Sequence, residues 1–230
     1  MSEFIEKQAN KASISARSII YGIAINDANY ITHTIKDGKI VSCPFYQSWK
    51  SMLSRCYDKS YHDRHPIYKD CSVCDEWLIF SAFKKWMKTQ DWKGKALDKD
   101  LIVFGNRVYS PDTCMFVSAA INNLFCGNNA RRGAYPKGVS FCPERGNYMA
   151  QCRVDGKSKN LGRYITPEEA EIVYLTFKSK LSLEKSNSDE AKNNKKLSSA
   201  LIRMAERLSK DAHNISIGIK NAQVVQYSNT

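Results

Sequence analysis

Residues 137–185 contain the strongest structural pattern in the chain, three short alternating stretches followed by one amphipathic stretch. The alternating stretches are residues 137–142, 148–154 and 160–164, and Glu-Arg-Gly-Asn and Asp-Gly-Lys separate them. Such separators are typical of hairpin turns. Residues 166–169, Thr-Pro-Glu-Glu, combine an N-cap residue, a proline at the first helical position and a glutamate that completes a capping box. The sequence therefore predicts a three-stranded antiparallel sheet followed by a helix that runs to about residue 183.

The alternation within the second predicted strand assigns its side chains to two faces. Successive side chains of a strand point to opposite sides of the sheet. Ala150, Cys152 and Val154 are therefore expected to face the helix, whereas Gln151 and Arg153 are expected on the open face. The chain as a whole carries a net charge of +12, and its isoelectric point is near 9.3. A surplus of this size is typical of proteins that bind a polyanion such as nucleic acid.

Several segments of this region resemble the Apetala/ethylene-response-factor DNA-binding domain. They are Tyr-Pro-Lys-Gly-Val-Ser-Phe at 135–141, Asn-Tyr-Met-Ala at 147–150, Leu-Gly-Arg-Tyr at 161–164 and Glu-Glu-Ala at 168–170. The resemblance implies that the open face of the sheet lies in the major groove of double-stranded DNA. The candidate DNA-binding residues are Lys137, Arg145, Tyr148, Gln151, Arg153, Lys157, Lys159 and Arg163. The alternative is a polar face that only contacts solvent.

Upstream of this region, the sequence predicts a mixture of short helices and strands. Residues 19–42, with turns at Asn26-Asp27 and Asp37-Gly38, suggest a small hairpin. Apolar residues at spacings of three and four predict helices at 44–56 and 76–87. Residues 96–104 are typical of a strand, and residues 108–109 belong to the turn back. A helix is expected at about 118–125. The dense aromatic residues of this region favour a small, tightly packed core.

The same upstream region resembles bacteriophage proteins of the HNH endonuclease type. The likeness rests on Cys-Pro-Phe-Tyr at 43–46, Val-Cys-Asp-Glu-Trp at 73–77, Leu-Asp-Lys-Asp at 97–100 and Tyr-Ser-Pro at 109–111. The resemblance implies a ββα motif in which Asp98 and Asn122 or Asn123 hold Mg²⁺ or Mn²⁺ for phosphodiester cleavage, because such oxygen ligands suit these ions. A module of this type followed by an Apetala-type domain is a familiar arrangement in phage homing endonucleases.

One position departs from the HNH pattern, since Lys99 stands where the general-base histidine is expected. Lysine is normally protonated at neutral pH and accepts no proton without strong desolvation. Three alternatives follow for the candidate catalytic set of Asp98, Lys99, Asp100 and Asn122. The base comes from His62 or His65, Asp100 orients water directly, or the module is inactive and Lys99 contacts phosphate.

The eight cysteines add a second metal hypothesis. Cys71 and Cys74 have the spacing of a zinc knuckle, which predicts a structural Zn²⁺ site, although one such pair without a second is weak support. The alternative is that the cysteines are free thiols in the core. No segment is apolar enough for a membrane span and the first residues do not resemble a signal peptide, so we expect a cytoplasmic protein, in the host cytoplasm if it comes from a phage.

Together these observations predict an α+β protein with five segments. They are an N-terminal arm at 1–18, an HNH-like domain at 19–126, a basic linker at 127–134, the Apetala-type domain at 135–185, and a polar linker with a C-terminal amphipathic helix at 186–230. The sequence favours a metal-dependent DNA endonuclease of the homing or nicking type, and the alternative is an inactive, nuclease-derived DNA-binding or regulatory protein. A third hypothesis is an interaction protein for RNA or an acidic partner. The C-terminal helix is expected to pack either on the body of the protein or on a second copy in a homodimer, and a host protein is a further candidate partner.

Overall fold

In a computed structural model, which describes residues 4–36, 38–125 and 134–228, the chain divides into two units, Met1–Ser118 and Ala119–Thr230. The boundary precedes the short helix Ala119–Phe125, which the sequence had placed in the first domain. Nearly all of the predicted basic linker, residues 127–133, lies outside the described residues.

The first unit is built from short strands that pair two by two. β1 (Lys7–Gln8) pairs with β2 (Tyr30–Ile31), β3 (His33–Lys36) with β4 (Lys39–Ser42), β5 (Ser72–Val73) with β7 (Val108–Tyr109), and β6 (Ala96–Asp98) with β8 (Met115–Val117). Its helices are α1 (Lys11–Ser15), α2 (Pro44–Tyr57), α3 (Lys59–Arg64) and α4 (Phe80–Lys88), with 3₁₀ turns at Pro66–Tyr68 and Asp75–Leu78. The predicted helix at 44–56 is confirmed. Of the hairpin predicted over 19–42, the part formed by β3 and β4 is confirmed.

An aromatic core holds these short elements together. Trp49, Trp77, Phe80 and Phe83 are fully buried, and the Trp49 indole nitrogen donates a hydrogen bond of 2.6 Å to the carbonyl oxygen of Trp77. Fully burying one large apolar side chain contributes about 1.5–3 kcal/mol. Since the paired strands are only two to four residues long, this core and not a continuous sheet stabilises the first unit.

The predicted helix at 76–87 is interrupted at Ile79, which has an extended backbone. Ile25 explains the interruption, because its amide donates to the carbonyl of Leu78 and its carbonyl accepts from the amide of Phe80. This bridge to Ile25 takes backbone groups that a continuous helix would use itself. The region therefore forms a 3₁₀ turn followed by α4.

The predicted strand at 96–104 ends at Asp98. The carboxylate of Asp98 accepts hydrogen bonds from the amides of Asp100 and Leu101, at 2.9 and 2.7 Å. An aspartate that bonds to its own following backbone starts a turn and ends the ladder. Val108 and Tyr109 do not turn back along this strand as expected but form β7, which pairs in parallel with β5.

The segment predicted as an N-terminal arm packs on the first unit. Glu6 forms an ion pair of 2.7 Å with Lys84, and the guanidinium of Arg17 donates to the carbonyl oxygens of Asn26, Ala28 and Tyr30. Three carbonyl acceptors on one guanidinium fix residues 17–30 as a compact loop.

The second unit contains the predicted three-stranded antiparallel sheet and its helix. It consists of α5 (Ala119–Phe125), β9 (Val139–Cys142), β10 (Asn147–Val154), β11 (Lys157–Tyr164), α6 (Pro167–Ser186), α7 (Asp189–Lys192) and α8 (Lys195–Ser228). The strand order is β11-β10-β9, and Thr166 and Glu169 form the predicted capping box. Ala150, Cys152, Ala170 and Tyr174 are buried, so the helix-facing side of β10 is as expected.

The C-terminal helix α8 packs against α6. Leu197, Leu201 and Ala205 of its apolar stripe are buried. The hydroxyls of Ser182 and Ser179 donate to the carbonyl oxygens of Leu201 and Ala205, each at 2.8 Å, so the two helices run antiparallel. The apolar stripe that suggested a homodimer therefore packs against α6 within the same unit. The predicted polar linker at 186–196 contains α7.

Candidate nucleic-acid interface and the Asp98 region

The open face of the sheet is defined by the pairing of its strands. Ala150 and Cys152 are buried on the helix side, so the residues between them and their cross-strand partners lie on the other side. Gln151 pairs with Asn160, Arg153 with Ser158, and Met149 with Arg163 and Ser140. The open face therefore presents Ser140, Asn147, Met149, Gln151, Arg153, Ser158, Asn160 and Arg163.

Hydrogen bonds across this face hold its side chains in place. The Gln151 amide nitrogen donates to the Ser140 hydroxyl at 3.1 Å, and the Ser158 hydroxyl donates to the Gln151 amide oxygen at 3.3 Å. Arg163 donates to the Asn147 amide oxygen at 3.4 Å. Arg153 donates to the carbonyl oxygen of Gly156 at 3.0 Å. Each arginine uses one of its five N–H donors in these hydrogen bonds, and its other donors bond to no described residue.

The charge on this face is of one sign. Arg153 and Arg163 are exposed, and none of the three strands contains an aspartate or glutamate. Residues 135–164 carry six lysines and arginines against two acidic residues, Glu144 and Asp155. Asp155 lies in the turn after β10 and forms an ion pair of 3.5 Å with Lys185. The open face is thus cationic and polar.

A bulge in the sheet places two of the predicted DNA-binding residues, Lys157 and Lys159, on the side away from the open face. The register shifts between Ala150 and Gln151, and Gly162 has a φ of +126°. Beyond the shift, Lys159 pairs with Cys152 and Lys157 with Val154, which puts both lysines on the helix side. The ammonium of Lys159 lies 4.9 Å from the ring centroid of Phe177.

The remaining candidates lie at the margin of the sheet. Tyr148 shares the side of Ala150, and its ring lies 5.2 Å from Tyr135 and 5.0 Å from Phe141. Arg145 belongs to the 3₁₀ turn Pro143–Arg145, and Lys137 precedes β9. Of the eight predicted contacts, the open face itself groups Gln151, Arg153 and Arg163. It adds polar residues that the sequence analysis did not single out, chiefly Asn147, Ser158 and Asn160, which only the cross-strand register identifies.

Lys99 of the predicted catalytic set is buried, and its ammonium makes hydrogen bonds with the protein. It is 6% exposed, and its ammonium donates to the Asp100 carboxylate at 2.5 Å and to the carbonyl oxygen of Asn106 at 2.7 Å. The ring centroid of Tyr109 lies 5.9 Å away. A lysine in these surroundings stabilises the loop from residue 99 to residue 106 and presents little surface to a phosphate. The sequence hypothesis that Lys99 contacts phosphate is therefore not favoured.

Asn106 is the residue of this region that the sequence analysis missed. Its amide nitrogen donates to the carbonyl oxygens of Lys99 and Val108, at 3.0 and 2.7 Å, and its amide oxygen accepts from the amide of Val108 at 3.2 Å. It thereby closes the loop between β6 and β7. The Gly105-Asn106 pair was the signal for a turn, but nothing in the sequence shows that the turn would bind the lysine.

The described residues give Asp98 no cluster of carboxylate, imidazole or thiol ligands for a divalent cation. Burial raises the pKa of its carboxyl group, although the Leu101 amide hydrogen bond opposes this. Asp100 forms an ion pair with Lys99, and Asn122 and Asn123 belong to α5. The α5 carbonyl of Leu124 accepts a hydrogen bond from the buried ammonium of Lys178. Within the described parts of the chain, no three His, Cys, Asp or Glu side chains form a group that could hold a metal ion.

The two histidines proposed as alternative bases make contacts elsewhere in the first unit. The Nε2 atom of His62 lies 2.9 Å from the carbonyl oxygen of Arg55 and therefore donates to it. The ring of His65 packs on Tyr61, with 4.6 Å between the centroids. Among the described residues, neither imidazole makes a hydrogen bond with Asp98 or Asp100.

Among the described residues, Cys71 and Cys74 have no further ligands that would complete the predicted zinc knuckle. Cys71 is buried and Cys74 is half-buried. Burial raises the pKa of both thiols. A structural zinc site needs four ligands, and the described residues supply no group of even three.

Comparisons of the chain with known proteins found no match. No protein-family model matches the sequence, and neither a curated protein nor a solved structure matches it. Along the described ranges, none of the helices is both long and apolar enough to cross a membrane.

Proposed function

We propose that this protein binds double-stranded DNA through the open face of its three-stranded sheet. The observation that carries the proposal is the pair of exposed arginines, Arg153 and Arg163, on a face without any carboxylate. Positive charge on one surface supplies most of the sequence-independent affinity for phosphates. The fold and the charge agree with the resemblance to the Apetala-type domain.

The polar side chains on the same face as the arginines can form hydrogen bonds with the edges of DNA bases. Gln151, Asn147 and Asn160 present amides that can donate and accept at the same time. In the major groove, glutamine and asparagine pair with adenine and arginine pairs with guanine. Because cross-strand hydrogen bonds already hold Gln151 and Arg163, these side chains lose little freedom on binding. We therefore expect some sequence preference in addition to general affinity.

For the first unit we infer a role in DNA binding or regulation rather than in cleavage. The antiparallel pair of β6 and β8 is consistent with the two strands of a ββα nuclease motif. The residues at the expected site support no hydrolytic role, because Lys99 is buried against Asp100 and Asn106. The protein is thus proposed to be the inactive, nuclease-derived alternative, with a host protein as a further candidate partner.

Cleavage assays separate this proposal from the endonuclease hypothesis. The full chain is incubated with supercoiled plasmid and either Mg²⁺ or Mn²⁺, beside the variants Asp98→Ala and Asp91→Ala. Asp91 is a matched control because it is an exposed carboxylate paired only with Lys95. We expect no nicking by any of the three proteins. Nicking that Asp98→Ala abolishes and Asp91→Ala retains would establish the endonuclease function instead.

Competition binding separates DNA from the other polyanions. Labelled duplex DNA is displaced by unlabelled duplex DNA, by double-stranded RNA of the same sequence, or by an acidic polypeptide. The narrow major groove of RNA does not admit a sheet, so we expect the DNA competitor to be the most effective. Equal displacement by RNA or by the polypeptide would favour the third hypothesis of a general polyanion-binding protein.

A further inference from the structure

A cavity of about 350 Å³ lies within the first unit, between α2 and the segment that precedes β6. Its apolar wall includes Met52 and Phe116, which are buried, and the half-buried ring of Trp92. Trp92 packs edge-on against Phe45, with 5.0 Å between the ring centroids. The volume lies in the range of small-molecule sites, and the wall is apolar and aromatic as such sites commonly are.

Polar side chains of α2 also line the cavity. Gln47 and Ser51 are one helical turn apart and both line the cavity. Neither side chain makes a hydrogen bond with another described residue. An amide and a hydroxyl in a cavity that also contains an aromatic ring can hydrogen-bond with the edge of a planar heterocycle.

Arg55 gives the cavity its charge. Its two side-chain hydrogen bonds, to the carbonyl oxygen of Leu97 and the hydroxyl of Tyr109, both use the same terminal nitrogen, at 3.3 and 3.5 Å. Its other nitrogens donate to no described residue, and no described carboxylate pairs with it. The lining contains the cations Arg55 and Lys95 and no acidic residue, although Lys95 is paired with Asp91. A partly buried guanidinium with free donors favours an anionic ligand such as a phosphate.

From these features we infer that the cavity binds a nucleotide. The base stacks against Trp92 and hydrogen-bonds with Gln47 and Ser51, and the phosphate accepts from Arg55. The ligand is either a free nucleotide or an unpaired nucleotide of a nucleic acid, since both present the same chemistry. This inference goes beyond the proposed function and does not depend on the sheet, because all of the lining residues belong to the first unit.

Tryptophan fluorescence provides the test, because all four tryptophans belong to the first unit and Trp92 lines the cavity. The probes are 2′-deoxyadenosine 5′-monophosphate, deoxyadenosine, deoxyribose 5-phosphate and a short single-stranded oligodeoxyadenylate. We expect saturable quenching by the nucleotide, weaker quenching by deoxyadenosine and none by the sugar phosphate. Stacking on one aromatic ring corresponds to about ten- to a hundredfold in affinity. Tighter binding of the oligonucleotide than of the monomer assigns the site to a nucleic acid, and equal or weaker binding assigns it to a free nucleotide.

The variant Ser51→Leu fills the cavity from an exposed helical position and is expected to abolish the quenching. Ser81→Leu is the matched control, since Ser81 is also exposed and helical but does not line the cavity. Equal quenching of the two variants, or quenching by deoxyribose 5-phosphate as strong as by the nucleotide, would overturn the inference. Ligand-detected NMR on the unaltered protein is an independent check, and saturation transfer to the adenine protons is expected. Duplex binding by the sheet is measured separately, so a failure of either proposal is distinguishable from a failure of the other.

Discussion

Replacing Lys99 with methionine tests whether this residue is structural. The ammonium makes two hydrogen bonds, to the half-exposed Asp100 carboxylate and to the carbonyl oxygen of Asn106. Because Asp100 is 54% exposed, solvent limits its ion pair to about 0–1 kcal/mol. Leaving the Asn106 carbonyl without its partner costs about 1–3 kcal/mol. Methionine keeps the apolar stem and avoids desolvation of the charge, so we expect a net loss of about 2 kcal/mol.

Urea denaturation followed by tryptophan fluorescence measures this loss for the first unit alone, because the second unit contains no tryptophan. Lys93→Met is the control, since Lys93 is exposed and the change removes the same charge. We expect this control to change the free energy of unfolding by less than about 0.5 kcal/mol. A Lys99→Met variant as stable as its control would refute the structural role. Lys99→His would show the same instability and would not create cleavage activity, since the shorter side chain cannot replace both bonds.

Three further predictions concern local features of the two units. Thr166→Ala removes the capping box of α6 and should lower the stability of the second unit by about 1 kcal/mol, measured by circular dichroism. Gly138→Ala should cost about 2–5 kcal/mol, because its new methyl group would lie 2.1 Å from the ring of Tyr174. Gly146→Ala, at a φ of +60° in open space, should cost only about 1–2 kcal/mol, and equal losses for the two would contradict the steric argument. Burial raises the pKa of Asp98, so the folded state holds its proton more tightly and the first unit should lose stability as the pH rises above about 4. Asp98→Asn keeps the acceptor for the two amides and should remove that part of the pH dependence, whereas an unchanged pH profile would exclude a perturbed Asp98.

The sheet of the second unit was predictable because its signals are local. The turns at residues 144–147 and 155–157, the alternation of β10 and the capping box at Thr166 all lie within a few residues of the structure that they specify. The side of the sheet on which each β11 residue lies was harder to predict. Regular alternation would place Lys157, Lys159 and Arg163 on one side, and the bulge at Gly162 separates them.

The candidate site at Asp98 could be predicted only in part, since its contacts are not local. Asp98 ends its strand because its carboxylate accepts hydrogen bonds from the amides of Asp100 and Leu101. The apolar residues that follow are typical of a strand, so the sequence pattern does not indicate this turn. The bond between Lys99 and Asn106 spans a loop whose course no pattern indicates. The parallel pairing of β5 with β7 joins residues far apart in sequence. The motif therefore singled out this segment but left the role of Lys99 open.

The salt dependence of duplex DNA binding tests the central proposal most directly, because the bulge provides a charge-matched control on the opposite side of the same sheet. The double variant Arg153→Ala/Arg163→Ala is compared with Lys157→Ala/Lys159→Ala by fluorescence anisotropy across a salt series. Each lost phosphate contact lowers the slope of log affinity against log salt by about one. We predict that the arginine variant loses roughly two from this slope and binds at least about tenfold more weakly, whereas the lysine variant stays near the unaltered protein. Equal losses in the two variants, or no loss in the arginine variant, would contradict the assignment of DNA binding to the open face.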